Sequence, residues 1–127
     1  MATTTHGNYT DETKTTKEQR RRTYERVLGV IEHNTAYQQP AFIPRYRIEM
    51  IVAQGSVDGD RVGSVLQAAV RSKDLLRVRR GSEELYAYAR DVEHLRAAIE
   101  AVCEWDPTPK DVVAWCTERI DALEADR

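Results

Sequence analysis

Apolar residues near the start of the chain recur at the spacing of one helix face. A capping-box pattern at Thr16 and Gln19 predicts that this helix begins at Thr16, and Asn34 is its predicted end. The residues at positions i, i+3, i+4 and i+7 are Tyr24, Val27, Leu28 and Ile31. Residues 35–44 contain two prolines and are predicted to form a loop or a short strand.

The next apolar residues predict a short second helix. Pro44 suits its first turn, where a missing N–H costs nothing, and Gly55 suits its left-handed end. The residues predicted to face the core, in a helix that runs through Ala53, are Tyr46, Met50 and Ile51.

The third predicted helix has the clearest amphipathic pattern in the chain. Ser56 or Asp58 is its predicted N-cap, because a short polar side chain can accept from the first free N–H groups. The apolar stripe repeats in steps of three and four residues, and its members are Val62, Val65, Leu66, Ala69 and Val70.

The apolar period then changes from 3.6 to 2, which predicts a β-hairpin. Leu76 and Val78 alternate with Arg77 and Arg79, which are predicted to point outward. The tetrapeptide at residues 80–83, Arg-Gly-Ser-Glu, has the composition of a turn, and residues 85–88 are the predicted return strand.

Two further helices are predicted after the hairpin. Asp91 is the predicted N-cap of the fourth helix, which Asp106 and Pro107 end. Thr108 is the predicted N-cap of the fifth helix, with Pro109 at its first position. The apolar positions of the two helices are Val92, Leu95, Ile99, Val102, Val113, Cys116, Ile120 and Leu123. So much apolar surface needs cover, by the first helix or by a second chain.

These elements predict a mainly α fold with a small β-hairpin (α+β). Residues 1–14 are polar and are predicted to form a disordered tail, residues 15–90 the central domain, and residues 91–127 a helical hairpin for dimerisation. The overall charge of −2 conceals an asymmetry: the tail carries −1, the central domain +5 and the helical hairpin −6. A polyanion would be attracted by the central domain and repelled by the helical hairpin.

The composition excludes several classes of protein. No apolar run approaches the roughly 20 residues of a membrane helix, and the first residues lack the apolar core of a secretory signal, so a cytoplasmic location is predicted. Cys103 and Cys116 are too few for a disulfide framework or a zinc site and are predicted to be buried thiols, with a bond between subunits as the alternative. The histidines are scattered and no glycine-rich phosphate loop occurs, so neither an enzyme nor a metal or cofactor site is predicted.

Residues 46–88 resemble the core of the winged helix-turn-helix superfamily. The landmarks are Gly55, the apolar stripe of the third helix, the pair Leu75-Leu76, and the residues of the wing tip, Arg79-Arg80-Gly81-Ser82. The flanking helices resemble those of the small dimeric regulators of the MarR and PadR kind, which implies a homodimer through the N- and C-terminal helices. The pair Lys73-Asp74 stands where such families often have glycine, and Asp is predicted to take that left-handed turn.

The resemblance implies sequence-specific binding of double-stranded DNA by a transcription regulator. The recognition helix, residues 58–72, would enter the major groove, and the arginine-rich wing, residues 76–88, would meet the backbone or minor groove. The candidate DNA-binding residues are Arg61, Ser64, Gln67, Arg71, Lys73, Arg77, Arg79, Arg80, Arg45 and Arg47. Further phosphate candidates are Arg20, Arg21 and Arg22.

Two acids oppose this interpretation. Asp58 and Asp60 stand at the start of the predicted recognition helix, where phosphates would approach. The alternative is therefore a winged-helix module that binds protein in a transcription, replication or viral assembly, without direct contact to DNA.

Overall fold

The computed structural model describes residues 2–37, 41–53 and 59–126, with side chains in residues 16–33, 41–53 and 61–126. These ranges form five helices and one small sheet, so the predicted class, mainly α with a small β-hairpin, is confirmed. In chain order the elements are α1 (Ala2–Tyr37), β1 (Ile43–Pro44), α2 (Arg45–Ala53), α3 (Gly59–Arg71), β2 (Leu75–Arg80), β3 (Glu83–Tyr88), α4 (Val92–Cys103) and α5 (Lys110–Ala125).

The first helix is longer than its predicted range. The backbone is helical from Ala2 to Tyr37, across the segment predicted to be a disordered tail and past the predicted end at Asn34. No proline occurs before Pro40, and adding residues to a nucleated helix gains one hydrogen bond for each residue fixed. The prediction considered only the lack of apolar residues, which bears on packing rather than on helix propagation.

The three strands form an antiparallel sheet in the order β1-β3-β2. The short strand was one of the two possibilities for residues 35–44, and it pairs Ile43 with Tyr86. In the hairpin, Arg77 lies opposite Tyr86 and Val78 opposite Leu85. Because side chains alternate along a strand, the sheet has two distinct faces.

One face of the sheet packs against the first three helices. The stripe predicted for α3 is confirmed, since Val62, Leu66 and Ala69 are buried and its other two members pack against the same cluster. The sheet contributes Leu75 and Tyr86 to this first cluster. The members from the other helices are Val27, Leu28, Ile31, Ile48 and Val52.

The core-facing side of α2 differs from the prediction. Ile48 and Val52 are fully buried, whereas Tyr46 and Met50 are each 62 % exposed. Apolar residues alternate with charged ones from Tyr46 to Met50 and are then consecutive through Ala53, so their spacing fits more than one helix face. The position of β1, which ends directly before α2, decides which face turns inward.

The other face of the sheet is covered by α4 and α5. This second cluster joins Leu76, Val78, Leu85 and Ala87 of the hairpin to residues of the two helices, chiefly Leu95, Ala98, Val102, Cys116 and Ile120. Of the apolar residues from which a dimer was predicted, Leu95, Val102, Cys116 and Ile120 are buried on this face of the sheet, and Val92, Ile99, Val113 and Leu123 are partly buried beside them.

The ends of the last two helices differ in how they are capped. The Asp91 carboxylate accepts from the N–H of His94 at 2.8 Å, which confirms the predicted N-cap of α4. Thr108 does not cap α5; its hydroxyl donates to the carbonyls of Cys103 and Trp105, and Pro109 is the N-cap. Cys116 is a buried thiol as predicted, but Cys103 is exposed.

The turn between α3 and β2 is left-handed at Lys73 rather than at Asp74. Lys73 has a φ of 66°, its N–H donates to Val70, and the N–H of Asp74 donates back to Ala69. These two hydrogen bonds form a Schellman motif, which normally has glycine at the left-handed position. Asp74 is thereby released from the turn and its side chain points toward α1.

Candidate nucleic-acid interface

The sheet separates a basic side of the molecule from an acidic one. The first three helices lie on one face with most of the cations of the central domain, and α4 and α5 cover the opposite face. Along α4, α5 and the turn between them the exposed acids are Glu93, Glu100, Glu104, Asp106, Asp111, Glu118, Asp121 and Glu124. A polyanion would therefore approach the side of α3 and avoid the side of the last two helices.

The residues predicted to read DNA from α3 are all exposed, but they divide into two groups. Arg61 and Ser64 line an open groove between α3 and α1, whereas Gln67 and Arg71 lie outside this groove. Lys73, directly after the helix, is exposed as well. The four side chains on α3 that were predicted to read DNA therefore do not form one continuous face, because two of them line the groove and two lie outside it.

The three hairpin arginines do not form the single surface that was predicted. Arg77 and Arg79 point to the face of the sheet that carries Leu75, and Arg80 points to the opposite face because strand side chains alternate. There the Arg80 guanidinium lies 4.5 Å from the centre of the Trp105 ring, a cation–π contact. The prediction treated Arg80 as part of a turn, whereas the structure places it in β2.

Two further candidates are paired with carboxylates. Arg45 donates to Glu49 at 2.9 Å and to Glu84 at 3.3 Å, and these hydrogen bonds raise its pKa. Arg77 lies 3.6 Å from the other oxygen of Glu84. Burial alone would raise the pKa of Glu84, but hydrogen bonds from Tyr86 and Arg45 hold it below its ordinary value. Glu84 and Glu49 thus offset the charge of both arginines.

The remaining cationic candidates are exposed. Within the part of the chain that the structure describes, no carboxylate lies within ion-pair distance of five exposed candidate residues: Arg47, Arg61, Arg71, Lys73 and Arg79. They lie on α2, on α3 and directly after it, and on β2. Exposed guanidinium and ammonium groups of this kind bind phosphate without first breaking an internal ion pair.

A polar network that the sequence did not predict fixes α1 beside α3. The Tyr24 hydroxyl donates to the carboxylate of Asp74, and Arg90 donates to the same carboxylate at 3.2 and 3.3 Å. Arg90 also binds Glu25 of α1 at 3.0 Å. The available signal was an aspartate in a turn that usually contains glycine, but its partners are 16 and 50 residues away in the sequence.

The Asp74 network makes stability depend on pH in the acid range. Burial alone would raise the pKa of Asp74, but hydrogen bonds from Arg90 and Tyr24 hold it below its ordinary value. Its stabilising contribution is therefore complete above the unfolded pKa of about 3.9 and is lost as the pH falls through the folded value. We expect Asp74→Asn to lower the free energy of unfolding at neutral pH and to flatten its decline below about pH 4.

Urea unfolding of both proteins between pH 3 and pH 6 measures this effect. Asp121→Asn is the matched control, because Asp121 is exposed on α5 and has no ion pair in the described residues. If the free energy of unfolding fell equally steeply with decreasing pH in wild type and in Asp74→Asn, this would contradict the role given to the network.

Some of the sequence-based predictions concern residues or side chains that the structure does not describe. Gly55, Ser56 and Asp58 are outside the described residues, and Asp60 lies in α3 without a described side chain. Among the side chains that are described, no group of three acidic, histidine or cysteine residues could hold a metal ion. In the same part of the chain, no helix has both the length and the apolar character needed to cross a membrane.

Comparison with protein-family models, with curated proteins and with solved structures finds no match to the chain.

Proposed function

We propose that this protein is a cytoplasmic regulator of transcription that binds double-stranded DNA in a sequence-specific manner. Helix α3 enters the major groove, and the hairpin and α2 meet the adjacent backbone. The order of elements, helix, strand, helix, helix and hairpin, agrees with the winged helix-turn-helix arrangement that the sequence resembles. The observation that carries the proposal is the set of five exposed cations, without an ion pair among the described residues, on the side of the sheet away from the acidic helices.

The exposed side of α3 has the chemistry required to read bases. Arg71 suits the two acceptors of guanine, and Gln67 suits the donor and acceptor of adenine. Both side chains are exposed on a helix whose opposite side is buried, so its position against the sheet is fixed. Phosphates would be bound by Lys73 directly after α3, by Arg79 on β2 and by Arg47 on α2.

A salt titration tests the proposal directly. Four phosphate contacts, by Arg47, Arg61, Lys73 and Arg79, predict that affinity for a mixed-sequence duplex falls by roughly 10²-fold between 50 and 200 mM salt, because each contact releases condensed counterions. Fluorescence anisotropy of a labelled 25-base-pair duplex measures this dependence. Absence of duplex binding at 50 mM salt would refute the proposal.

One observation favours the alternative, a module that binds protein. Tyr46 and Met50 are separated by one helical turn on α2 and are each 62 % exposed. Such a pair suits an apolar partner surface better than a phosphate backbone. Under this alternative, duplex affinity would be negligible at moderate salt, so the same titration separates the two functions.

A further inference from the structure

Helix α3 has a neighbouring helix along each side of its exposed surface. On one side Arg45 of α2 comes so close that its Nη2 atom lies 2.8 Å from the place where a Cβ on Gly63 would be. Glu84 binds both Arg45 and Arg77, so α2 and the hairpin share this side. On the other side the first turns of α1 with described side chains run beside α3 and leave an open groove.

The walls of this groove carry positive charge and hydroxyl groups. Arg20 on α1 and Arg61 on α3 are both exposed, and hydroxyl groups come from both helices through Thr16, Thr23 and Ser64. None of the described residues that line the groove is acidic. The two exposed guanidinium groups, one on each wall, are complementary to an anion that carries several oxygen atoms.

Two parts of the groove lining are fixed by the fold. Tyr24 belongs to the lining, and its hydroxyl is held by the carboxylate of Asp74. Val65 and Ala68 form the apolar part of the lining, and Val65 packs against the first core cluster. The two walls therefore keep their separation, since the Asp74 network ties α1 to the end of α3.

We infer that this groove binds the phosphodiester backbone of one DNA strand. The inference rests on the proposed function, in which α3 lies in the major groove. The major groove of DNA is about 12 Å wide, close to the diameter of a helix with its side chains, and a sugar-phosphate backbone runs along each of its edges. Arg47 and Arg79 then meet the backbone on the side of α2, and Arg20 and Arg61 grip the backbone on the side of α1.

The inference assigns α1 a role that depends on which side of the helix a cation occupies. Arg20 lines the groove, whereas Arg22 is also exposed but does not line it. Two residues along a helix are about 200° apart, so the two arginines point to opposite sides. Arg22→Ala therefore changes the net charge as Arg20→Ala does and leaves the groove intact.

The experiment compares the salt dependence of duplex affinity in wild type, Arg20→Ala, Arg61→Ala and Arg22→Ala. Loss of one phosphate contact is expected to reduce the magnitude of the slope of log K against log salt by about 0.9, so the loss of affinity from 50 to 200 mM salt shrinks about 3.5-fold. We expect the slope to fall by this amount in Arg20→Ala and in Arg61→Ala. In a variant that carries both substitutions the slope should fall by twice as much, and in Arg22→Ala it should not change. Arg20→Lys keeps the charge and is expected to retain the wild-type slope.

The outcomes separate this inference from the function on which it rests. Failure of wild type to bind the duplex refutes the proposed function itself. Wild-type binding with an unchanged slope in Arg20→Ala refutes only the groove. Equal changes in Arg20→Ala and Arg22→Ala also refute the groove, because they show that α1 acts through its net charge alone.

Discussion

Leu95→Ala is expected to lower the free energy of unfolding of the whole chain by about 3 kcal/mol, in a single transition. Leu95 is fully buried in α4, where it belongs to the second cluster. Truncation removes its contacts and leaves a cavity, since the surrounding helices and sheet relax only in part. The size of the effect follows from burial, and the single transition follows from the position of the sheet.

The sheet belongs to both hydrophobic clusters at once. Along β3, Tyr86 packs into the first cluster, while Leu85 and Ala87, its neighbours in sequence, pack into the second. Separation of α4 and α5 would expose one whole face of a three-stranded sheet to water. We therefore expect residues 15–90 and 91–127 to unfold together, although the sequence assigned them to separate domains.

Two probes of urea unfolding check this expectation. The only tryptophans, Trp105 and Trp115, pack against the second cluster, so their fluorescence reports on that side, whereas far-UV circular dichroism reports on all helices. Leu66→Ala is the matched variant, because Leu66 is buried in the first cluster. In each variant, the midpoints of the fluorescence and circular dichroism transitions should shift by the same amount. A fluorescence transition that moves alone in Leu95→Ala would instead establish two independent domains.

The parts of the fold that could be predicted are those with one dominant period. The stripe on α3 and the alternation in β2 each fit a single arrangement, and both are confirmed by burial. In α2 the apolar residues are nearly contiguous, so the period leaves its buried face undetermined until β1 and the sheet are in place. The helical residues at 2–14 were missed because their sequence has little to bury, and burial was the only criterion applied to them.

The candidate site was predictable in its residue types but not in its pairings. Each arginine could be counted, and Glu49 lies one helical turn from Arg45, but the second carboxylate that Arg45 binds, Glu84, lies 39 residues away in the sequence. The same holds for Arg80, whose ring partner Trp105 belongs to the turn after α4. Such contacts depend on how the helices pack on the sheet, which a local pattern does not specify. Of the ten candidate residues, five are exposed cations that have no ion pair among the described residues.

Simultaneous replacement of Arg71 and Arg79 by alanine is expected to weaken duplex binding about 30-fold, or roughly 2 kcal/mol, at 100 mM salt. Arg71 lies on the exposed side of α3 and Arg79 on the hairpin, so the variant removes one contact from each element. Neither side chain has an ion pair in the described residues, so its removal leaves no carboxylate without a partner. The free energy of unfolding should accordingly stay within about 0.5 kcal/mol of wild type.

The matched control removes two cations from the acidic side of the molecule. Arg96 on α4 and Lys110 on α5 are exposed, and Arg96 makes only a long ion pair of 3.8 Å to Glu124. Their replacement by alanine alters the net charge by the same amount, and duplex affinity should change less than threefold, because screened charges on the far side of the sheet contribute little. Equal losses in the two double variants would mean that overall charge, rather than the surface around α3, determines binding. Unchanged affinity in Arg71→Ala with Arg79→Ala would exclude these two side chains from DNA contact.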